Sequence, residues 1–269
     1  MKKLGIIAGE DNLPKVVIEY CKSQNIVPYL VKISSASDQD YQHHENIIFA
    51  NIGQPGKAID FFKNNDVKHI MFVGKVPRPA NVLKLKVDIK GAALLKQIAL
   101  NKIFGDNHLL IEIKNFFISH GFEVLALNHF MKELFLQPGI ISTKKPIKSA
   151  LKNIEIGIDL IKGISKFDIG QAVIVEDGRI LAVEAAEGTD EMIDRSKVLI
   201  SSEEACLIKI PKHKQISEID LPCVGLLTII KAREAKISTI AIKSHTTILL
   251  DRKEVLEFIN KQKMCLVVI

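Results

Sequence analysis

Short apolar segments alternate with segments of helical spacing through the first half of the chain. The apolar segments predict strands buried on both faces, at residues 4–8, 26–33, 47–50, 69–73 and 122–127. The intervening segments predict helices at residues 14–24, 57–65, 91–102 and 107–119, with Asn12 as a candidate cap of the first. Strands that are apolar on both faces need helices above and below, so the first half is predicted to be an α/β domain with a parallel sheet.

The pattern changes between Leu136 and Ser149, where prolines and a glycine interrupt it. We place a domain boundary there and divide the chain into domains 1–137 and 138–269. The second half opens with a predicted helix at 148–164 and a hairpin whose turn is Asp177-Gly178. Further segments predict a second α/β domain: a helix from about 190, a strand at 205–210, a helix at 228–235, strands at 239–242 and 246–250, a helix capped by Asp251, and a strand at 265–269.

Composition narrows the classes of partner. The 269 residues are 47% hydrophobic and carry a formal net charge of +6, so we expect a folded chain that favours anions. A phosphate-bearing metabolite or an anionic membrane surface fits this charge. Nucleic acid is disfavoured, because no run of five or more Lys and Arg occurs and Trp is absent. No apolar run reaches the roughly 18 residues of a membrane span, and we expect a cytoplasmic protein.

Four oxygen-bearing side chains crowd the point where the predicted hairpin ends and a helix begins. They are Glu184, Glu187, Thr189 and Asp190. Carboxylates this close repel each other unless a cation, a hydrogen-bond donor or a substrate offsets them. One interpretation is that Thr189 caps the helix. The other is a metal or acid/base site in which Glu187 and Asp190 converge on Mg²⁺, and the residues alone leave both open.

Two glycine-containing loops follow predicted strands. Gly9 stands between the first strand and a helix that starts near Leu13, a setting in which backbone N–H groups can bind an anion. The dinucleotide pattern GxGxxG is absent there, which disfavours a nicotinamide-dependent oxidoreductase. Gly74, Lys75 and Arg78 follow the fourth strand, and ligands of open α/β sheets bind at the carboxyl ends of strands. Plain turns are the alternative for both loops.

Two further features have a functional and a structural interpretation. Asp220 precedes Leu221-Pro222, in a segment that proline restricts to extended geometry, and could orient water or bind metal. The alternative is a turn-initiating Asp. A set of phenylalanines is most simply core, with an acyl-chain groove as the alternative. These are Phe116, Phe117, Phe122, Phe130 and Phe135.

The order and spacing of these motifs resemble the LpxI-type UDP-2,3-diacylglucosamine pyrophosphatases of lipid A biosynthesis, over essentially the whole chain. The matching segments are residues 4–9 with Leu13-Pro14, Gly74 with Arg78-Pro79, Gly105-Asp106, residues 168–173, residues 182–185, residues 187–192, Asp220-Leu221-Pro222 with Gly225, and Asp251-Arg252. The chain departs from the family pattern at residues 10–12, at Asn107 and at Ile216.

The resemblance implies a Rossmann-like N-terminal domain and a distinct catalytic C-terminal α/β domain, with substrate between them. It implies a Mg²⁺-dependent hydrolase in which water attacks phosphorus and releases UMP and 2,3-diacylglucosamine 1-phosphate. Asp220, Glu187 and Asp190 would be the catalytic carboxylates, and Asp220 and Asp190 would hold the metal. The implied substrate-binding residues are Gly9, Leu13, Gly74, Lys75, Arg78, Gln171, Thr189 and Lys209.

The same resemblance implies a cytoplasmic protein that contacts the cytoplasmic face of the inner membrane transiently, where its lipid substrate resides. A homodimer stays open. So does a non-catalytic nucleotide-sugar binding or regulatory module, and a sugar or lipid transferase is a further open alternative.

Overall fold

A computed structural model describes residues 1–10, 12–33, 41, 44–76, 85–100, 106–212 and 218–269. The described residues form two compact units. The first comprises those of 1–130 together with 218–220, and the second comprises 131–212 and 221–269. The predicted site residue Arg78 lies outside the described residues, as do Asp11, Gly105 and Ile216.

The first unit is built on a five-stranded sheet in which all neighbouring strands run parallel. Its strands are β1 (Lys3–Ala8), β2 (Val27–Ile33), β3 (Ile47–Ala50), β4 (His69–Val73) and β5 (Glu123–Val124). Its helices are α1 (Leu13–Ser23), α2 (Pro55–Asn64), α3 (Ile89–Leu100), α4 (Asp106–Ser119) and α5 (Leu127–Phe130). The predicted parallel α/β domain is confirmed.

The strand order of this sheet, β3-β2-β1-β4-β5, places a switch point at its centre. The chain passes from β1 outwards to β2 and β3, then crosses to β4 and β5 on the other side of β1. Open α/β sheets bind ligands where neighbouring strands lead into connections that diverge in this way. The residues that directly follow β1 and β4 are Gly9 and Gly74, so the fold puts both predicted loops at the switch point.

Most of the phenylalanine set belongs to the core of the first unit. Phe116, Phe117 and Phe122 are buried with residues of α2 and the sheet, and Phe117 meets Phe122 with ring centroids 6.2 Å apart. The core interpretation is confirmed for these three. Phe130 is half-buried and makes a T-shaped contact with Tyr20, with ring centroids 5.3 Å apart. Phe135 is buried in the second unit.

The second unit contains a six-stranded mixed sheet. Its strands are β6 (Gly139–Ile140), β7 (Ala172–Glu176), β8 (Arg179–Val183), β9 (Ala205–Lys209), β11 (Ile237–Ile242) and β13 (Cys265–Val268). Their order is β6-β13-β11-β9-β7-β8. Strands β9, β11 and β13 are parallel, and β7 runs antiparallel to β9 and β8. A separate parallel pair joins β10 (Cys223–Val224) to β12 (Ile248–Leu249).

Helices cover both faces of this sheet. They are α6 (Lys148–Ile164) on one face, and α7 (Thr189–Ser196), α8 (Leu226–Glu234) and α9 (Arg252–Lys261) on the other. Alternate residues of β7 explain why, since Val173 and Val175 pack with α6 while Ala172 and Ile174 pack with the helices of the opposite face. The predicted hairpin and second α/β domain are confirmed.

Three local predictions need correction. Asp251 stands before α9 but has φ 49° and ψ 47°, and its side chain makes no capping hydrogen bond, because that backbone conformation differs from the extended one of N-caps. Asn12 likewise has helical torsions and no side-chain cap. The strand predicted over residues 122–127 is only Glu123–Val124, since this edge strand pairs with β4 alone and α5 starts at Leu127.

No helix within the described ranges combines the length and the apolar character needed to span a bilayer.

Glu176, at the end of β7, is a buried carboxylate that gives a test of the second unit. It is 4% exposed and accepts hydrogen bonds from the backbone and hydroxyl groups of Ser201 and Ser202, at 2.8–3.1 Å. Burial opposes its charge, but the four hydrogen bonds outweigh burial and lower its pKa below the ordinary 4.5.

We predict that Glu176→Gln destabilises the fold by about 1–3 kcal/mol at neutral pH, because an amide cannot accept all four bonds. A lowered folded pKa stabilises above the unfolded pKa, and that stability is lost as pH falls through the folded pKa. The variant should therefore lose less stability than the wild type below pH 4.5. Urea unfolding at several pH values measures both effects. The exposed Glu257→Gln is the control, and equal pH dependence in all three proteins would contradict the prediction.

Candidate site at the carboxyl ends of the strands

Three buried polar side chains form a chain of hydrogen bonds in the second unit. The Lys209 ammonium donates to the Thr189 hydroxyl at 2.8 Å, and that hydroxyl donates to Glu184 Oε1 at 2.9 Å. The other oxygen, Glu184 Oε2, accepts the backbone N–H of Gln171 at 2.8 Å. The structure thus brings together three predicted substrate-binding residues, Gln171, Thr189 and Lys209, around a glutamate outside that set.

The sheet explains why these residues meet. Lys209 ends β9, Glu184 follows β8, and Gln171 precedes the antiparallel β7, so all three lie at one edge. That edge is the carboxyl end of the parallel strands, where α/β sheets place ligands. Gly170 permits the approach, because a Cβ at this position would lie 2.4 Å from the Glu184 carbonyl oxygen.

Lys209 is a buried cation whose protein partner is neutral. Its side chain belongs to a residue that is 6% exposed. Among the described residues, its hydrogen-bond partner is the Thr189 hydroxyl, and none of the ion pairs within 4.0 Å includes Lys209. Buried charges are normally paired, because desolvation costs several kcal/mol (about 3–5 when one partner of a pair is removed). Two of the three ammonium donors are therefore available to an anion.

A second lysine in the same unit shows the contrasting arrangement. Lys212 is mostly buried and pairs with Asp168 at 2.5 Å. Asp168 has φ 57°, a left-handed conformation at the start of the segment that leads into β7. The Lys212 charge is thus balanced by a carboxylate, whereas the Lys209 charge is held by a hydroxyl.

The capping interpretation of Thr189 is wrong. Helix α7 begins at Thr189 itself, and the N-cap is Gly188, with φ 88° and no side-chain cap. The hydroxyl is used instead in the bonds to Glu184 and Lys209, since the sheet edge brings both within reach.

The other two acids of the junction bind protein donors. Glu187 accepts two hydrogen bonds from the Arg195 guanidinium, at 2.7 and 3.0 Å. Its own backbone N–H and then Arg195 lower the Glu187 pKa, so the carboxylate stays ionised at neutral pH. Asp190 Oδ1 accepts the hydroxyl of Thr228 at 2.7 Å. The described ranges contain no group of three or more His, Cys, Asp or Glu placed to hold a metal. The catalytic roles of both acids stay predictions.

Three of the predicted residues of the first unit, Gly9, Gly74 and Lys75, meet at its switch point. The Gly9 N–H donates to the Val73 carbonyl at 2.8 Å, and Glu10 bridges to Lys75. A Cβ on Gly9 would lie 2.5 Å from the Lys75 carbonyl oxygen, so this glycine is required by the close approach of two loops. Gly74 has φ 87°, which favours glycine, and Lys75 is exposed.

A buried lysine in the first unit was absent from the predicted set. Lys32 is 3% exposed, and its ammonium donates to the Gly9 carbonyl at 2.6 Å. It also lies 5.2 Å from the centre of the Tyr41 ring, a cation–π distance. The available signal was a lysine near the carboxyl end of an otherwise apolar strand.

Leu13 and Asp220 occupy separate positions. Leu13 is buried at the first position of α1. Asp220 is half-buried and groups with the first unit, directly before the chain enters β10 of the second. Two residues earlier, Glu218 pairs with Lys114 at 2.7 Å within the first unit. The function of Asp220 stays a prediction.

Comparison with known proteins gives matches to both halves of the chain. Residues 3–134 match the LpxI N-terminal domain, and residues 137–267 match the LpxI C-terminal domain. A protein of Caulobacter vibrioides named UDP-2,3-diacylglucosamine pyrophosphatase LpxI is 29% identical over 263 residues. The alignment covers 95% of this chain and 93% of that protein.

Proposed function

We propose that this chain, which belongs to the LpxI family, hydrolyses the pyrophosphate bond of UDP-2,3-diacylglucosamine to UMP and 2,3-diacylglucosamine 1-phosphate. The printed name of its Caulobacter relative supports this substrate and this reaction. In the reaction, a water oxygen bonds to one phosphorus, and the bond from that phosphorus to the bridging oxygen breaks. The water protons pass to the site or to solvent, so no other co-substrate is needed.

The observation that carries the proposal is the buried ammonium of Lys209. Within the part of the chain that the structure describes, its hydrogen-bond partner is the neutral Thr189 hydroxyl, and the other two N–H donors can bind phosphate oxygens. A pyrophosphate is a suitable anion, because it brings several acceptor oxygens and more than one negative charge. In a site closed to water, such a donor stabilises the charge that develops on the departing phosphate by a few kcal/mol (about 2.7–4 for one oxyanion donor).

Mg²⁺ is part of the proposal. In proteins this ion takes one or two carboxylates and completes its shell with water and substrate phosphate. Asp190 fits such a role, since it is half-buried and Thr228 bonds one of its two oxygens in the described part of the chain. Asp220 is the second candidate ligand. When bound, Mg²⁺ would draw charge from the pyrophosphate oxygens.

Asp220 is also our candidate for orienting the attacking water and accepting its proton. It stands in the segment that leads into Leu221-Pro222, where the Pro222 carbonyl accepts the backbone N–H of Ile248 at 2.8 Å. That bond fixes the chain just beyond the carboxylate. A carboxylate on a fixed segment suits general-base chemistry, which requires a defined distance to the water.

The direct test is UMP release from UDP-2,3-diacylglucosamine by the purified chain. We predict release in Mg²⁺, loss of release in excess EDTA, and recovery when Mg²⁺ is restored. Full activity in chelator would remove the metal from the proposal. Absence of release with the ligand still bound would favour the nucleotide-sugar binding module. Asp220→Ala should abolish turnover while substrate affinity persists, and an active variant would contradict the assignment of Asp220.

Lys209→Met should weaken substrate binding and lower kcat/KM by about 100-fold or more, because a charged hydrogen bond in a buried site is worth roughly 1.5–3 kcal/mol before transition-state effects. Methionine keeps the length and removes the charge, so folding should persist. Steady-state kinetics measure the effect. The matched control is Lys253→Met on the exposed face of α9. Equal activity of the two variants would refute the role of Lys209.

We also propose transient contact with an anionic membrane surface, since the two acyl chains of the substrate would anchor it in a bilayer. The net charge of +6 supports this contact. The chain should co-sediment with vesicles containing phosphatidylglycerol at low salt and remain in the supernatant with pure phosphatidylcholine. Equal behaviour with both lipids would oppose the proposal. A homodimer stays a prediction.

A further inference from the structure

We infer that Glu184 is a positioning residue that holds the Lys209 ammonium in place for a phosphate, and that it acts through the Thr189 hydroxyl. The inference rests on the proposed function, in which Lys209 binds the pyrophosphate. Glu184 itself does not touch Lys209 in this arrangement, because Thr189 stands between them.

The direction of each hydrogen bond follows from the groups involved. The Gln171 backbone N–H can only donate, so Glu184 Oε2 must accept. The Lys209 ammonium can only donate, so the Thr189 oxygen must accept from it. The single hydroxyl proton of Thr189 then goes to Glu184 Oε1. Every donor along this chain points towards the carboxylate, and donor chains of this kind polarise one another.

The hydroxyl between the two charges has a functional consequence. When a carboxylate bonds a lysine directly, as Asp168 bonds Lys212 at 2.5 Å, its negative charge lies against the ammonium and would repel a phosphate. At Lys209, the Thr189 hydroxyl separates the ammonium from the negative charge of Glu184. Glu184 stabilises the buried ammonium through Thr189, while the donors of Lys209 that do not bind Thr189 stay available.

A purely structural role for the Glu184 side chain is the competing explanation. The backbone of this residue already continues the hairpin, since the Glu184 N–H donates to the Ala172 carbonyl at 2.9 Å. Helix α7 starts after Gly188 without a side-chain cap, so the carboxylate is not needed as a cap. Removal of the charge should therefore change anion binding in a manner that depends on Thr189, which a structural defect would not do.

The experiment is a double-mutant cycle of Glu184→Gln and Thr189→Val in the full chain. Its readouts are the dissociation constant of inorganic pyrophosphate with Mg²⁺ present, and kcat/KM for UMP release. We expect each single change to raise the dissociation constant of pyrophosphate and to lower kcat/KM, each by about ten-fold or more. A change of this size corresponds to the loss of one charged hydrogen bond. The double variant should bind pyrophosphate no more weakly than the weaker-binding single variant, because both changes break the same chain of hydrogen bonds. Thr189→Ser keeps the hydroxyl and should bind nearly as tightly as the wild type.

Additive losses in the cycle would overturn the inference, as would wild-type pyrophosphate affinity in Glu184→Gln, or no binding of pyrophosphate to the wild type. Glu257→Gln on the surface is the charge control. If Glu184→Gln does not fold, Thr189→Val against Thr189→Ser still decides, since equal affinity of these two would also refute it. A wild type that binds pyrophosphate with the expected coupling yet releases no UMP would sink the proposed reaction alone.

Discussion

A buried ammonium requires a counter-charge or a ligand, and Lys209 has a hydroxyl in place of a carboxylate. Three elements of the second unit hold the Lys209 ammonium against this hydroxyl. Strand β9 carries the lysine to the sheet edge, and the hairpin of β7 and β8 brings Glu184 to the same edge. The first turn of α7 adds Thr189 between them. In the proposed function, an anionic substrate balances this buried charge.

The first unit uses the same edge of its own sheet differently. There the buried Lys32 donates to the Gly9 carbonyl, and two loops approach so closely that Gly9 admits no side chain. Close packing of the two loops is therefore sufficient to explain the glycine at position 9, which the sequence placed in a candidate anion-binding loop. The backbone N–H groups of Gly9 and Glu10 at this switch point are held by the carbonyls of Val73 and Lys75.

Local patterns were sufficient to predict most elements. Apolar runs predicted the strands of both sheets except β6, a two-residue strand that was not predicted, and Asp177-Gly178 identified the hairpin turn. The predictions of helix caps were wrong, because a cap depends on backbone torsions that the sequence does not reveal. Asp251 has left-handed torsions, and the Thr189 hydroxyl is hydrogen-bonded to Glu184 and Lys209.

Side-chain networks were predictable only in part. Thr189 and Lys209 were expected near phosphate by resemblance, but their contact spans 20 positions in sequence and needs the sheet to form. Lys32 and Gly9, 23 positions apart, meet for the same reason. Glu184 could be placed at the junction from the sequence, whereas its bond to Thr189 depends on where α7 begins. Long-range contacts of this kind follow from register, which periodicity does not specify.

The most direct test of this account is a crystal structure of the full chain with a UDP-2,3-diacylglucosamine analogue in which a methylene group replaces the bridging oxygen of the pyrophosphate. We expect a phosphate oxygen within hydrogen-bond distance of the Lys209 ammonium, with the Thr189 and Glu184 bonds intact. Pyrophosphate bound away from Lys209, or Lys209 paired with a carboxylate in that complex, would contradict it.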